Sequence, residues 1–221
     1  MSPPDVQIET FVVGPLQTNC YVVTCGKDCW VIDPAPWCGK VVRALQRHGR
    51  QPSRILLTHG HADHIGGVGK LSKTFADATL CCPRGDEYML ADSKANMSHI
   101  FLGGLTAPPA EELLEPGQKL SCGQSEWLVL DTAGHTPGGV SYYCPAAAVV
   151  LTGDALFAGS IGRTDIPRAS MSQLVRNILA NLMGLPDETR VLPGHGPAST
   201  IGAERQNNPF IIEACKRTGL V

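Results

Sequence analysis

The chain has 221 residues, 43% hydrophobic and 17% charged, with a formal net charge of −2. It carries enough apolar residue for a core of its own and lacks the Lys/Arg excess of a nucleic-acid partner. No apolar stretch approaches the roughly 20 residues of a membrane span, and the start MSPPDVQIET has neither a basic nor an apolar leader segment, so a cytoplasmic protein with small-molecule partners is expected.

In chain order, VQIETFVV alternates apolar and polar residues, and NCYVVT and CWVID are short β-branched or aromatic runs. All three predict strands, punctuated by Gly14-Pro15 and by Cys25 to Asp28. GKVVRALQRHG places Val41, Val42, Ala44 and Leu45 on one helical stripe closed by Gly49, and RILL follows as a strand. From Lys70 to Leu114 the pattern predicts broken helix, with RGDEYMLAD and NMSHIFLGG separated by polar residues. EWLVLDT, VSYYC, AAVVLTGD and TRVLPG predict later strands. The helix SMSQLVRNILANLMG lies among them, with Ser170 and Gln173 at capping-box spacing and Gly184 at its end, and a helical tail begins at Ser199. Two groups of strands, each followed by helix and dividing near residues 108–116, predict one α/β domain over residues 1–221, built from two half-sheets with helices outside. Nine cysteines with no C-x-x-C pair predict buried free thiols rather than a zinc finger or a disulfide framework.

The densest chemistry lies in ILLTHGHADHIGG, where His59, His61, Asp63 and His64 fall within six positions of a chain with seven histidines. If the strand runs on through His59 and His61, their rings point to one side, and Gly66-Gly67 let the backbone bend into the next helix. A polar turn with fortuitous histidines is the bland alternative. Three later strands count against it, because each ends in glycine followed by a possible ligand: WLVLDTAGH at His135, AVVLTGD at Asp154 and RVLPGH at His195. Residues just past strand ends gather at one edge of an α/β sheet, so all seven are candidate metal ligands. Nitrogen and oxygen donors without thiolate suit zinc, iron or manganese. Seven donors exceed one tetrahedral ion, whereas two divalent ions with Asp154 as bridge leave room for substrate.

THGHADH together with His135, Asp154 and His195 resembles the metallo-β-lactamase superfamily. The resemblance implies an αββα four-layer sandwich, with two mixed sheets flanked by helices. It also implies that His59, His61 and His135 hold one metal, that Asp63, His64 and His195 hold the second, and that Asp154 bridges. Longer stretches, GPLQTNCYVV, GHTPGGVSYY, LTGDALFAGSIGRTDIPR and PGHGPASTIGAERQNNPF, are similar to short glyoxalase-II-type hydrolases, which cleave S-acyl-glutathione thioesters. That implies thioester hydrolysis by a metal-bound hydroxide, with Asp63 and Asp154 catalytic and zinc as the first-choice metal. Longer members bind glutathione through a lysine and a tyrosine after the bridging aspartate and through a C-terminal helical domain. Here Arg163 takes the lysine's place, Asp165 the tyrosine's, and only 26 residues follow His195, with Lys216 and Arg217 the late basic ones. A raised KM for glutathione thioesters is therefore expected. Arg163 is either a substrate contact or a loop brace paired with Asp165. The rival activity, from relatives sharing the GRTD loop, is persulfide dioxygenation by a single iron on His59, His135 and Asp154. Tyr142 and Tyr143 are expected as one core and one surface residue, and His48 and His99 lie outside the site.

Overall fold

A computed structural model describes residues 6–218, so the first five and last three residues of the expected domain, with the MSPPD start, lie outside it. The order is β1 (Val6–Val13), β2 (Thr18–Cys25), β3 (Asp28–Ile32), α1 (Gly39–Arg47), β4 (Arg54–Leu56), α2 (Ala62–Ile65), α3 (Val68–Thr74), β5 (Thr79–Pro83), α4 (Glu87–Ala91), α5 (Ser98–Phe101) and β6 (Glu112–Leu114). The second half contains β7 (Lys119–Cys122), β8 (Ser125–Asp131), β9 (Val140–Cys144), β10 (Val149–Gly153), β11 (Leu156–Phe157), β12 (Ser160–Ile161), α6 (Met171–Asn181), β13 (Arg190–Pro193), β14 (Ser199–Thr200), α7 (Ile201–Asn207) and α8 (Pro209–Thr218).

The strands form two six-stranded mixed sheets, ordered β1-β2-β3-β4-β5-β6 and β14-β13-β10-β9-β8-β7, with β11 and β12 as a separate hairpin. The sheets divide between Leu114 and Lys119, beside the expected break. In the first sheet β3 to β6 run parallel, and in the second only β10 and β13 do. Because both faces of each sheet are covered, successive side chains enter different cores. Tyr21, Val23, Trp30, Ile32 and Leu56 meet Trp127, Val129, Tyr142 and Leu151 between the sheets, and the Trp30 and Trp127 ring centroids are 5.8 Å apart. The alternate residues Val22, Val31, Ile55 and Leu80 pack under Val41, Leu45, Val68 and Leu71 of α1 and α3. Tyr143, Val150 and Val191 pack under Leu174 and Ile178 of α6. This is the αββα sandwich.

Several local expectations are corrected. Tyr143 is buried like Tyr142, because α6 covers the outer face that was expected to meet water. The Lys70–Leu114 segment contains β5 and β6 as well as helices. β4 stops at Leu56, so His59 and His61 converge from a loop rather than by strand alternation. Gly66 and Gly67 keep right-handed backbone, at φ −66° and −95°. They are glycine because a Cβ at either would strike the Pro34–Pro36 segment. Ser170 caps α6 by accepting from the Gln173 amide, but the helix ends at Asn181, short of Gly184. The eight cysteines from Cys20 to Cys144 are free thiols and buried, and Cys215 is half-buried. Among the described residues no helix is long and apolar enough to cross a membrane.

Candidate metal centre

The expected ligands leave the sheets at one edge. His59 and His61 lie in the loop after β4, Asp63 and His64 on α2, His135 beyond β8, Asp154 directly after β10 and His195 just past β13. Hydrogen bonds between the sheets lock this edge. Asn19 Nδ2 donates to the carbonyls of Pro193 (3.0 Å) and Gly196 (2.9 Å), and the Tyr21 hydroxyl donates to Pro193 O at 2.7 Å. The Val140 amide donates to Thr58 O at 2.9 Å. Buried Asp86 accepts from the amides of Gly60 (3.0 Å) and Gly138 (2.7 Å), tying the two histidine loops together.

All seven residues converge. The donor atoms of His59, His61 and His135 lie within 4.8 Å of one another, and so do those of Asp63, His64 and His195. Asp154 sits between the sets, with Oδ1 3.3 Å from His64 Nε2 and Oδ2 3.6 Å from both His135 Nε2 and His195 Nε2. His48 ends α1, and His99 bonds the Ser93 carbonyl, so neither joins the cluster.

Contacts on the far side of the rings decide which nitrogen is bare, since a carbonyl or carboxylate can only accept. His135 Nδ1 donates to Arg163 O at 2.8 Å, His195 Nδ1 to Leu16 O at 3.1 Å and His64 Nδ1 to Asp33 Oδ2 at 2.8 Å. The Thr58 hydroxyl donates to Asp33 Oδ2 at 2.6 Å and so accepts from His59 Nδ1 at 3.0 Å. With Nδ1 engaged on the far side, the Nε2 atoms of His59, His64, His135 and His195 face the centre, and His61 presents Nδ1, 2.9 Å from His135 Nε2.

Asp33 is the residue that sequence reasoning missed. It directly follows β3, adopts φ +51° and is buried, and it also accepts from the Thr58 amide at 2.7 Å. It also ends a strand, but without the glycine that marks Asp154. A carboxylate behind a ligating histidine fixes the tautomer and raises the basicity of the facing nitrogen. Asp33, His59 and His64 also lie close enough for a metal, but both Asp33 oxygens are already used in these bonds.

Burial, and then the neighbouring histidines, hold His59 well below the ordinary histidine value. Burial and His135 push His61 down to about 3. Burial opposes ionisation of Asp63 and Asp154, but His64 and other nearby histidines outweigh it and hold both carboxyls below their usual range. Burial also opposes charge on His64, yet Asp154, Asp63 and Asp33 outweigh it and hold its pKa well above the ordinary histidine value. The edge is thus built to receive cations. Three of its buried atoms, His59 Nε2, His64 Nε2 and Asp154 Oδ1, make no hydrogen bond. Buried polar atoms without partners require an explanation, and divalent cations between the two donor sets supply one. Gly194 keeps that space open, since a Cβ there would fall on Asp154 Oδ1 and the His64 ring.

The centre opens into a cleft of about 400 Å³, lined by His61, Asp63, His135, Asp154 and His195 on its floor. Arg163 stands on the wall, with Nε and Nη2 bonded to the two Asp165 oxygens at 2.8 and 2.9 Å. The PGHGPASTIGAER stretch has a bracing role. Buried Glu204 accepts from the Gly159 amide and from Asn208 Nδ2, both at 2.8 Å, fastening the β11–β12 hairpin beside the cleft.

Five imidazoles and two carboxylates at the loop edge of an αββα sandwich define a metal-dependent enzyme of the hydrolase type. The chain belongs to the metallo-β-lactamase superfamily, whose profile matches residues 13–195. It is 38% identical over 200 residues to the probable metallo-hydrolase YqgX of Bacillus subtilis, covering 90% of this chain and 94% of that protein. It is 30% identical over 208 residues to the hydroxyacylglutathione hydrolase GloC of Haemophilus influenzae, covering 93% and 98%. Among solved structures, the BLEG-1 B3 metallo-β-lactamase matches with a TM-score of 0.88 at 38% identity, covering 93% of this chain and 99% of that one. TTHA1623 in a di-iron-bound form matches with a TM-score of 0.80 at 38% identity, covering 91% and 99%.

Proposed function

We propose that this chain is a dinuclear metal-dependent hydrolase of small-molecule S-acyl thioesters, the class that includes glutathione conjugates. The observation that carries the two-ion reading is the pair of three-residue donor sets with Asp154 between them. His59, His61 and His135 would hold one ion, Asp63, His64 and His195 the other, with Asp154 shared. Zinc is the proposed metal, although the same donors accept iron or manganese, and TTHA1623 carries two irons. When bound, two such ions lower the pKa of water towards neutrality and polarise a carbonyl. The chain's own part is to aim four of the five imidazoles, His59 through Thr58, His64 through Asp33, His135 through Arg163 O and His195 through Leu16 O. Asp63 and Asp154, held below the usual carboxylate range and so ionised at neutral pH, would orient the attacking water by accepting its hydrogen bonds at a carboxylate oxygen. The similarity to GloC supports the thioester as substrate.

The likeness to BLEG-1 favours β-lactam hydrolysis as the second reading. Persulfide dioxygenation by a single iron would leave the second donor set idle. The test is a parallel assay of zinc- and iron-loaded protein with S-lactoylglutathione, a second acyl thioester, a cephalosporin, and glutathione persulfide with an oxygen electrode. Thioester loss well above β-lactam turnover is expected. Oxygen uptake without thioester cleavage would overturn the proposal in favour of the dioxygenase, and faster β-lactam cleavage in favour of the lactamase.

A further inference from the structure

Away from the metal edge, two cysteines of different sheets meet. β2 begins at Thr18, whose hydroxyl bonds Asp63 Oδ2 at 3.3 Å, and ends at Cys25, while β8 begins just after Cys122 and ends at Asp131, short of His135. Cys25 and Cys122 therefore sit at the opposite pole of the sandwich, both buried and both in the core between the sheets. The Gly123 amide donates to Asp28 Oδ2 at 3.1 Å, and a Cβ on Gly123 would stand 2.4 Å from Cys25 O and 3.3 Å from Cys25 Cβ. The β7–β8 turn is thus pressed against the end of β2, and the Cys122 thiol donates to the Cys25 sulfur. Backbones this close lie within the reach of a disulfide.

The surroundings prepare one of the two sulfurs as a nucleophile. The Ser125 hydroxyl and the Trp127 indole N–H are buried donors with no oxygen or nitrogen to accept from them, and both turn to Cys25. Buried donors in want of an acceptor stabilise an anion placed beside them. The Cys122 thiol first, then Ser125 and Trp127, outweigh burial and hold Cys25 below the ordinary thiol value, whereas Cys25 and burial push Cys122 well up. Cys25 thus takes the negative charge and Cys122 keeps its proton, the division in which one sulfur attacks an oxidant and its neighbour resolves the product. Cys25 also adjoins the Gly26 turn, and nothing stands within 4 Å of the space a Gly26 Cβ would fill. A local opening of that turn gives a small oxidant its path.

We propose that Cys25 and Cys122 form a peroxide-sensitive pair that closes a disulfide between the two sheets. The Cys25 thiolate attacks one oxygen of hydrogen peroxide, breaking the O–O bond and leaving a sulfenic acid and hydroxide. The Cys122 thiol then attacks the Cys25 sulfur and gives up its proton, and the sulfenic oxygen leaves as water. The two thiols lose two electrons, and peroxide is reduced to two waters once the hydroxide regains the proton that Cys25 released. The bond ties β2 to β7 and closes a loop of about 100 residues, so it should raise Tm by roughly 5–10 °C. The test needs no hydrolase assay. Full-length chain, reduced and desalted, is treated with hydrogen peroxide, denatured in N-ethylmaleimide and mapped without reduction by tandem mass spectrometry. A Cys25–Cys122 link is expected, together with a Tm rise that dithiothreitol reverses. In Cys122→Ala the link and the rise should vanish, and dimedone should label Cys25 as the sulfenic acid. Cys122→Ser, closer in size, replaces it where the alanine cavity prevents folding. Cys144→Ala, which removes another cysteine of the same core, should leave the link intact. Maleimide on both Cys25 and Cys122 after peroxide treatment, or Cys25 joined to a different cysteine, overturns the inference.

Discussion

Replacing Asp154 with alanine is expected to remove both metal positions at once and to lower thioester hydrolysis on the order of 10³-fold, equivalent to about 4 kcal/mol of lost transition-state stabilisation. The reason is geometric. Its two oxygens face opposite sets, Oδ1 towards His64 and Oδ2 towards His135 and His195, so no other residue can substitute for either contact. A carboxylate serving only one set would cost one equivalent of metal and leave the other. Elemental analysis of Asp154→Ala, purified beside the unsubstituted chain, separates the two cases. Melting both proteins in chelator serves as the folding control: similar metal-free Tm values show that the loss belongs to the site. Retention of two metals with normal hydrolysis would remove Asp154 from the bridging role.

The second large effect is expected at Asp33, which touches no metal in this account. Alanine there strips the acceptor from His64 Nδ1, the Thr58 hydroxyl and the Thr58 amide together, all in the buried interior. Breaking a buried pair by removing one partner costs about 3–5 kcal/mol. In a domain of this size that corresponds to a fall in Tm on the order of 10 °C. Freed of Asp33, His64 is able to rotate or carry its proton on Nε2, so affinity for the second ion should drop roughly 10–100-fold. Asp33→Asn keeps the volume and one acceptor oxygen, and it should recover most of the stability but little of the metal affinity. Equal loss of both properties in the two variants would make Asp33 a packing residue only.

Asp33 also marks where the sequence stops being legible. His59, His61, Asp63 and His64 were visible because four donor residues crowd into one turn, and His135, Asp154 and His195 because a strand and a glycine precede each. The same strand-end position at Asp33 carries no glycine and is followed by proline, and its partners lie 25 and 31 residues away. Its role emerges only when β3 and β4 pair in parallel and bring Asp33 beside Thr58. The fold shows a similar division. The antiparallel strands β1, β2, β8 and β9 carry readable runs, whereas β5 and β6 are short, Cys- or Glu-containing strands of a parallel region covered on both sides, where alternation disappears. Tyr143 was misjudged for the same reason: a strand cannot announce whether a helix covers its outer face. The Arg163–Asp165 pair was one of two open alternatives in the sequence. The structure shows the pairing, with both side chains exposed and Arg163 among the residues that line the cleft.

The central claim is that two ions occupy this edge. Its most direct test is elemental analysis of chain purified without chelator, combined with an anomalous-scattering map of its crystals. The account predicts two metal equivalents per chain, one peak among His59, His61 and His135 and a second among Asp63, His64 and His195, with Asp154 between them. A single fully occupied ion on His59, His135 and Asp154, with Asp63 and His64 unliganded in metal-replete protein, would contradict it.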